Sequence, residues 1–344
     1  MIRHRAWTRL PAAATVIVAG CNSSQSALAP AGVDAERINL LFQVMTVSGA
    51  LVFVAVMAFI ALALFGNARQ RARLANEKLI HVAGVAFPAV VLTALLLYGF
   101  VVLRAGTTGA GEGNSFISRN SAPSVAVNGE LWWWRVQYTN SDSNSSSVGT
   151  TFDSANELHI PVNEPVRLLL TSDNVIHSFW VPSLAGKLDM IPGRRNILTL
   201  TATKPGVFRG QCAEYCGGAH AMMSFFVVAH EPSEYAAWRA HEASPAIAPS
   251  TNSAQRGAQL FLDNGCGACH AVRGTSATGT IGPDLTHMAS RRSLAAATLP
   301  NDSASLASWI VRSTHIKPES RMPPYTFFTD TDLADLVSYL MRLR

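Results

Sequence analysis

The sequence predicts a membrane-anchored protein in three parts: a two-helix transmembrane hairpin, then an all-β sandwich, then a small all-α domain. Two long uncharged apolar runs lie in the first 103 residues, short apolar runs between turn residues follow, and helical patterns return near the end. The chain has 344 residues, of which 49% are hydrophobic and only 14% charged, against about 25% charged in soluble domains. This composition excludes disordered and collagen-like proteins and indicates that part of the chain lies in lipid.

The formal net charge of +5 lies entirely in the amino-terminal part. Residues 1–103 carry 8 basic and 3 acidic side chains, whereas residues 104–344 carry 19 of each. A protein that binds nucleic acid needs an excess of basic residues where it contacts phosphates. The polar part of this chain has no such excess, so we expect no nucleic-acid partner.

The first residues have the layout of an exported protein. Three arginines precede an apolar run over 10–19 and the tetrad Val-Ala-Gly-Cys, which ends at Cys21. This layout predicts a signal peptide over 1–20. The tetrad resembles a bacterial lipobox, which implies a lipoprotein with a lipid on Cys21; the alternative is an ordinary Ala-rich cleavage region.

Two uncharged stretches predict membrane helices within a hairpin over 38–103. They include Val44–Phe65 and Val82–Leu103, and each exceeds the ~20 apolar residues that a spanning helix needs. A pair of buried core helices is the alternative. The connecting loop carries four basic residues and one acidic residue, which places it in the cytoplasm. We therefore expect two spans in a bacterial inner (cell) membrane, with the cofactor domains on the periplasmic or extracellular side.

The segment over 119–231 has the pattern of a β-sandwich. Short apolar-rich runs alternate with Pro, Gly and Asn turns, as in sandwiches with many short strands. The predicted strands cover 131–138, 157–160, 166–171, 197–203 and 224–229.

Residues 266–270 read Cys-Gly-Ala-Cys-His, the pattern for covalent attachment of one c-type haem. Cys266 and Cys269 would bond the haem vinyl groups, and His270 would supply the proximal iron ligand. A redox-active Cys pair is the alternative, but it would not require the histidine. Pairing of the four downstream cysteines into two disulfides is a further alternative for an exported chain.

The haem also needs a sixth ligand, and Met322 is our candidate. It lies on a Pro-flanked loop before a final helix, and a thioether there would raise the reduction potential. Met288 competes for this role.

The segment over 254–344 resembles a small class I cytochrome c. The resemblance rests on an opening helix with Gly257, the haem motif, Gly-Pro-Asp-Leu from 282, and a closing helix with Tyr339. It implies that the Pro283 carbonyl accepts a hydrogen bond from the ring of His270, and that the first and last helices cross at Gly257. Residues 232–253 look like a short helix and a Pro/Ser/Ala-rich linker.

A second cluster of metal-ligating residue types begins at Cys212. Two cysteines four residues apart are followed by a histidine and two methionines, and one more histidine, His177, lies upstream. Thiolate, imidazole and thioether donors together select copper. Two thiolates on one loop can lie between two copper ions, each completed by one histidine and one weak axial donor.

The loop is similar to the CuA loop of cytochrome c oxidase subunit II, C-x-E-x-C-x3-H-x2-M. The resemblance implies a dinuclear copper centre, with bridging cysteines, terminal histidines, and as axial donors a thioether and a backbone carbonyl. Met222 is the rival thioether. Carried onto this sequence, the ligands are His177, Cys212, the Glu214 carbonyl, Cys216, His220 and Met223.

The same resemblance extends to both amino-terminal spans, to the cupredoxin-like fold of the sandwich, and to the run of three tryptophans at 132–134. It implies that Trp132 is the point where electrons enter the copper centre. It also implies that the Glu214 side chain helps hold a Mg²⁺ shared with subunit I. Five other histidines lack a partner at ligand spacing, and we expect solvated or hydrogen-bonded surface side chains at 159, 230, 241, 287 and 315.

The fusion of these parts resembles subunit II of a caa3-type oxidase. It implies that electrons pass from the chain's own haem to CuA and on to subunit I, which reduces O₂ to water with proton pumping. The expected partners are subunits I and III, membrane lipid, and an upstream donor such as cytochrome c or a bc1-type complex. The alternatives are the electron-entry subunit of a CuA-containing nitric oxide reductase, and a membrane-tethered carrier without a stable oxidase.

Overall fold

A computed structural model describes residues 25–107, 125–139 and 152–344. The predicted signal peptide and Cys21 lie outside the described residues. The elements follow the predicted order of helical hairpin, β-sandwich and small helical domain.

The hairpin consists of two long helices joined by shorter ones, and most of their large apolar side chains are exposed. Val33–Phe65 and Glu77–Val101 have mean hydropathies of 2.7 and 2.3 and are long and apolar enough to cross a membrane. Side chains such as Leu96, 73% exposed, need an apolar surrounding. A π-helical turn, Val82–Ala86, precedes the last helix of the hairpin, Phe87–Thr107. The α-helices are α1 (Val33–Phe65), α2 (Ala68–Leu74), α3 (Glu77–His81) and α4 (Phe87–Thr107).

The residues just before α1 pack against the β-sandwich and form backbone hydrogen bonds with it. Ala31 is fully buried in the sandwich core, and its amide donates to the carbonyl of Ser183 at 2.7 Å. Gly32 follows, and a Cβ there would lie 2.3 Å from the carbonyl oxygen of Leu184. This close approach requires glycine, so the outer end of the first span carries the sandwich directly.

In the part of the chain that the structure describes, ten strands form two five-stranded sheets that pack face to face. The orders are β3-β2-β1-β5-β8 and β4-β10-β9-β6-β7; β1–β5 and β4–β10 are parallel and the other pairs antiparallel. The strands are β1 (Val125–Gly129), β2 (Trp134–Tyr138), β3 (Phe152–Ala155), β4 (Glu157–Pro161), β5 (Val166–Ser172), β6 (His177–Trp180), β7 (Leu188–Met190), β8 (Asn196–Leu200), β9 (Gly206–Cys212) and β10 (Ser224–His230).

Every second side chain along β1, β2 and β5 is buried in the core, because successive side chains of a strand point to opposite faces of the sheet. Trp134, Phe179 and Phe225 meet at its centre, with ring centroids between 4.7 and 5.9 Å apart. These rings lie directly beneath His177, whose ring centroid is 6.3 Å from that of Trp134. The aromatic core therefore supports one of the predicted metal ligands.

Two predicted strand bounds were wrong. The strand expected from residue 131 begins only at Trp134, because Glu130 and Trp133 exchange backbone hydrogen bonds in a turn. The strand expected over 197–203 ends at Leu200, since the chain beyond it pairs instead with the segment before α1. β1, β3, β6, β7 and β9 were not predicted.

The helical domain follows α5 (Pro232–Glu242), which packs Trp238 against the sandwich. Its first and last helices cross at Gly257, where a Cβ would lie 2.0 Å from the carbonyl oxygen of Asp335 and 2.8 Å from the Cβ of Tyr339. The predicted crossing is confirmed. Its elements are α6 (Asn252–Asp263), α7 (Cys266–Cys269), β11 (Ser293–Leu294), β12 (Leu299–Pro300), α8 (Ser303–Ile316) and α9 (Asp330–Leu340).

Candidate functional site

Three neighbouring segments of one sheet bring the predicted copper ligands together. β6 begins at His177, β9 ends at Cys212, and the loop from Cys212 returns to β10. Cys212 pairs with Phe179 across β6 and β9, and its amide donates to the carbonyl of Met223 at 2.8 Å. The sheet register therefore fixes where the loop leaves and where it returns.

The two thiols lie at the centre of the cluster. Their Sγ atoms are 3.8 Å apart. Cys212 Sγ lies 3.8 Å from Nδ1 of His177, and Cys216 Sγ lies 3.4 Å from Nδ1 of His220. Each thiol thus has its own imidazole, which is the pairing expected for two adjacent ions.

The two weak donors are also in place. Met223 Sδ lies 3.8 Å from Cys216 Sγ, and the Glu214 carbonyl oxygen lies 3.2 Å from Cys212 Sγ. Met223 is 1% exposed, whereas the rival Met222 is half-buried and its carbonyl accepts hydrogen bonds. The geometry supports Met223 over Met222.

The two thiols shift each other's pKa in opposite directions. The pKa of Cys212 is lowered, mainly by its hydrogen bond with Cys216. Burial raises this pKa, and the hydrogen bond with His177 lowers it further. The adjacent Cys212, together with burial, raises the pKa of Cys216, because a second buried thiolate beside the first is unfavourable. The pair therefore ionises one thiol readily, and a metal ion must displace the remaining proton.

This donor set fits copper. Metal–thiolate bonds are about 2.3 Å long, so sulfurs 3.8 Å apart can contact one ion together. The donors are soft sulfur and imidazole, and the thiols are buried from water. Within the described residues, His177, Cys212 and Cys216 also form a group whose ligand atoms all lie within 4.8 Å of one another.

The helical domain contains an apolar cavity beside the Cys-Gly-Ala-Cys-His motif. Cys266, Cys269, His270, Met288 and Met322 all line it. Burial lowers the pKa of His270, which favours the neutral ring that an iron ligand requires.

The ring of His270 is held in one orientation. Its Nδ1 lies 2.7 Å from the Pro283 carbonyl oxygen, so Nδ1 carries the proton and Nε2 is free to bind iron. A Cβ at Gly282 would lie 2.5 Å from Cε1 of this ring, so only glycine fits beside it. The predicted hydrogen bond to Pro283 is confirmed.

The cavity fits a haem. Its wall is largely apolar, and Arg291 on that wall is half-buried, with a buried Nε that has no partner among the described residues. A haem propionate is the type of anion that such a guanidinium pairs with. The sequence analysis missed Arg291, since an isolated arginine gives no local signal. Met288 and Met322 both line the cavity, so the choice between them stays a prediction.

Trp132 connects the two sites. Its indole N–H donates to the Cys216 carbonyl at 3.0 Å, and the residue also lines the cavity beside the Cys-Gly-Ala-Cys-His motif. Trp132 is 7% exposed and Trp134 is 1% exposed, whereas Trp133 is half-buried. Trp132 therefore both contacts the loop that carries Cys216 and contributes to the lining of the cavity.

Two of the histidines expected at the surface are buried. His159 is 9% exposed and lies within hydrogen-bond distance of His230 (2.8 Å) and Glu157 (3.3 Å). His287 is 2% exposed and contacts the Ser244 carbonyl. Their partners come from distant segments, which the sequence pattern did not show.

Comparison with known proteins finds separate matches for the β-sandwich and for the helical domain. Residues 124–230 match a family described as cytochrome C oxidase subunit II, periplasmic domain, and residues 254–344 match cytochrome c. Cytochrome c oxidase subunit 2 of Alkalihalophilus pseudofirmus is 37% identical over 220 residues, which are 64% of this chain and 61% of that relative. The chain thus spans somewhat less than two thirds of that relative's length.

A second relative is covered more completely. Cytochrome c oxidase subunit 2 of Artemia franciscana is 32% identical over 192 residues, which are 52% of this chain and 80% of that protein. Among solved structures, the periplasmic domain of subunit II of cytochrome oxidase of Bradyrhizobium japonicum is 34% identical. That comparison covers 34% of this chain and 91% of the solved one, with a TM-score of 0.31.

Proposed function

The chain belongs to the cytochrome c oxidase subunit II family, and on that premise we propose that it is the electron-entry subunit of a caa3-type haem–copper oxidase. The family implies copper, and the cytochrome c domain implies a haem c. In this proposal electrons reach the haem first, pass to the copper centre, and leave to subunit I, which reduces O₂ to water and pumps protons.

The contact of Trp132 with both sites carries the proposal. Its indole N–H donates to the Cys216 carbonyl, and the residue also lines the cavity that contains Cys266, Cys269 and His270. When bound, a haem and a copper centre would supply one-electron chemistry in which no bond forms or breaks. The protein's part is to hold both groups next to Trp132.

The copper-binding residues take roles that follow from their contacts. Cys212, Cys216, His177, His220, Met223 and the Glu214 carbonyl would together hold the copper centre, with sulfur and imidazole as the main donors and the thioether and carbonyl as weaker ones. His177 is held by Asn174, whose Oδ1 lies 3.2 Å from its Nε2. Ligands that are oriented before binding keep the site's geometry the same in both redox states.

The haem-binding residues are arranged similarly. Cys266 and Cys269 would hold the porphyrin, His270 would bind the iron through Nε2, and Met322 would supply the second iron ligand. Ser313 holds the Met322 loop, since its hydroxyl donates to the Met322 carbonyl at 2.7 Å. A thioether ligand raises the potential and favours electron transfer over O₂ binding.

Exposed apolar residues beside the copper ligands support a partner subunit. Ile176 precedes His177 and is 42% exposed, and Tyr215, 76% exposed, contacts the ring of His220 at 5.6 Å. The Glu214 side chain is half-buried, and no partner is seen for it within the described part of the chain. We assign this region to subunit I, with Glu214 contributing to a shared Mg²⁺. Subunit III, lipid and an upstream donor complete the assembly in a bacterial inner membrane.

Optical and EPR spectra of the full chain, purified in detergent after haem maturation and copper loading, test the proposal. We expect a c-type haem band together with the EPR pattern of one electron shared by two copper nuclei, and Cys216→Ser should abolish the copper pattern. A haem band with a single-copper spectrum or without copper would overturn it.

Two matched pairs of variants test the choice of methionines. Met223→Leu should change the copper spectrum while Met222→Leu leaves it unchanged, and Met322→Leu should change the haem spectrum while Met288→Leu does not. Leucine nearly conserves volume, so each exchange costs less than about 1.5 kcal/mol in packing. The reverse pattern in either pair would reassign the ligand.

Purification from the native membrane tests the assembly. We expect the chain to copurify with a large haem-bearing subunit that consumes O₂. A complex that reduces nitric oxide instead, or a chain without any large subunit, would replace the oxidase by one of the two alternatives.

A further inference from the structure

Lys317 belongs to the helical domain, and its side chain is buried where that domain meets the sandwich. It follows α8 and is 4% exposed. Its ammonium donates to the carbonyl oxygens of Trp132 at 2.6 Å, Met222 at 3.0 Å and Ala295 at 3.1 Å. The first two acceptors belong to the sandwich, and both are adjacent to its copper-binding elements.

Burial of this charge is costly unless its partners stay in place. Among the residues that the structure describes, no carboxylate oxygen lies within 4.0 Å of its Nζ, so three carbonyl groups satisfy all three donors. Burial lowers the pKa of Lys317 to about 7. If the two domains parted, two of the three acceptors would be lost, so this arrangement belongs to the docked domains alone.

A strained turn presents further carbonyl groups to the sandwich. Ala295, Ala296 and Ala297 have φ of 52°, 60° and 60°, a left-handed conformation that costs alanine about 1 kcal/mol or more per residue. The Ala296 carbonyl accepts from the Ser224 amide at 3.3 Å, and that of Ala297 accepts from Arg209 at 3.4 Å. Such strain persists where surrounding contacts determine it, and here they are contacts between domains.

Other contacts also join the helical domain to the sandwich. The amide of Arg292 donates to the buried Glu157, and Arg135 donates to the Thr280 carbonyl at 2.8 Å. The carboxylate of Glu319 lies against Gly218 of the copper loop, where an added Cβ would come within 2.7 Å of it. The loop that carries Met322 therefore touches the copper-binding loop directly.

We propose that Lys317 is a positioning residue that holds the haem-binding domain against Trp132 and the copper-binding loop. The domain is then a fixed part of the subunit and does not swing on its linker. This inference rests on the proposed function, because it assigns Lys317 a role in keeping the two cofactors in contact with Trp132.

The test compares Lys317→Met with wild type in the full, haem-matured and copper-loaded chain. Lys204→Met, at an exposed position of the sandwich, is the matched control. Hydrogen exchange read by mass spectrometry should be at least about tenfold faster in peptides that contain Ser224 and Arg292, while peptides from α6 and α9 stay protected. Electron transfer from photoreduced haem to copper should become slower and depend on solvent viscosity.

Two results would overturn the proposal: unchanged exchange at Ser224 and Arg292, or unchanged transfer in a variant whose haem spectrum is normal. If Lys317→Met fails to mature, Arg135→Met loosens the same interface from the sandwich side, and it should give the same two changes. Absence of electron transfer in wild type would refute the proposed function, yet exchange would still report whether Lys317 holds the domains together.

Discussion

Replacement of Gly257 by alanine should separate the two helices that enclose the haem cavity. A Cβ at this position would lie 2.0 Å from the Asp335 carbonyl oxygen and 2.8 Å from the Cβ of Tyr339. Carbon atoms pack at about 3.5–4.0 Å, so α6 and α9 must move apart by about 1 Å or more. The first contact is with backbone, which no side-chain rotation relieves.

The magnitude follows from two opposing terms. Overpacking of a well-packed core costs about 1–3 kcal/mol, and a backbone clash lies at the upper end of this range. Alanine gains up to about 1 kcal/mol over glycine in a helix. The net loss is therefore about 2 kcal/mol, which lowers the Tm of a domain of this size by roughly 10 °C.

Thermal melts of the full chain, followed by haem absorbance and far-UV circular dichroism, measure this loss. Gly99→Ala is the matched control, since Gly99 is also helical but has nothing within 4 Å of an added Cβ. We expect a Tm change only for Gly257→Ala. Equal Tm values for wild type and Gly257→Ala would refute the helix-crossing argument.

Three further predictions concern Gly282, His230 and Trp132. Gly282→Ala should displace the ring of His270 and change the haem spectrum, because the new Cβ would overlap that ring; an unchanged spectrum would contradict this. Burial, the larger cause, and His159, the second, lower the pKa of His230 in the folded protein below its ordinary value of 6.5. The unfolded chain therefore takes up this proton first, and the free energy of unfolding should fall as the pH drops below about 6.5, until the folded protein is protonated as well. Thermal melts between about pH 7.5 and pH 5 should show this, and His230→Asn should flatten the curve while His315→Asn, at an exposed position, should not. Trp132→Phe should cost about 1 kcal/mol in chemical denaturation, because the Cys216 carbonyl loses its donor, and should slow haem-to-copper electron transfer; a wild-type rate would remove Trp132 from the path.

The sequence predicted the parts whose signals are local. Uncharged runs predicted the hairpin, and the ligand spacing from Cys212 to Met223 predicted which donors the loop brings together. β9 was missed because Gly206–Cys212 contains two glycines and an arginine, a weak strand pattern that its pairing with β6 and β10 overrides.

The contacts between domains could not be predicted from the sequence. Lys317 binds the carbonyl of Trp132, a residue 185 positions away, and a backbone carbonyl gives no sequence signal. The left-handed turn at Ala295–Ala297 is equally hidden, since alanine is not typical of that conformation. Positions of this kind are fixed by tertiary packing.

We propose that this one chain holds a haem and a copper centre that exchange electrons within the molecule. It is tested most directly by reduction of the haem with a light pulse in the wild-type chain, with absorbance of haem and copper followed in time. We predict that haem reoxidation and copper reduction proceed at the same rate, and that this rate does not depend on protein concentration. A rate that rises with concentration, or a haem that stays reduced beside oxidised copper, would contradict the account.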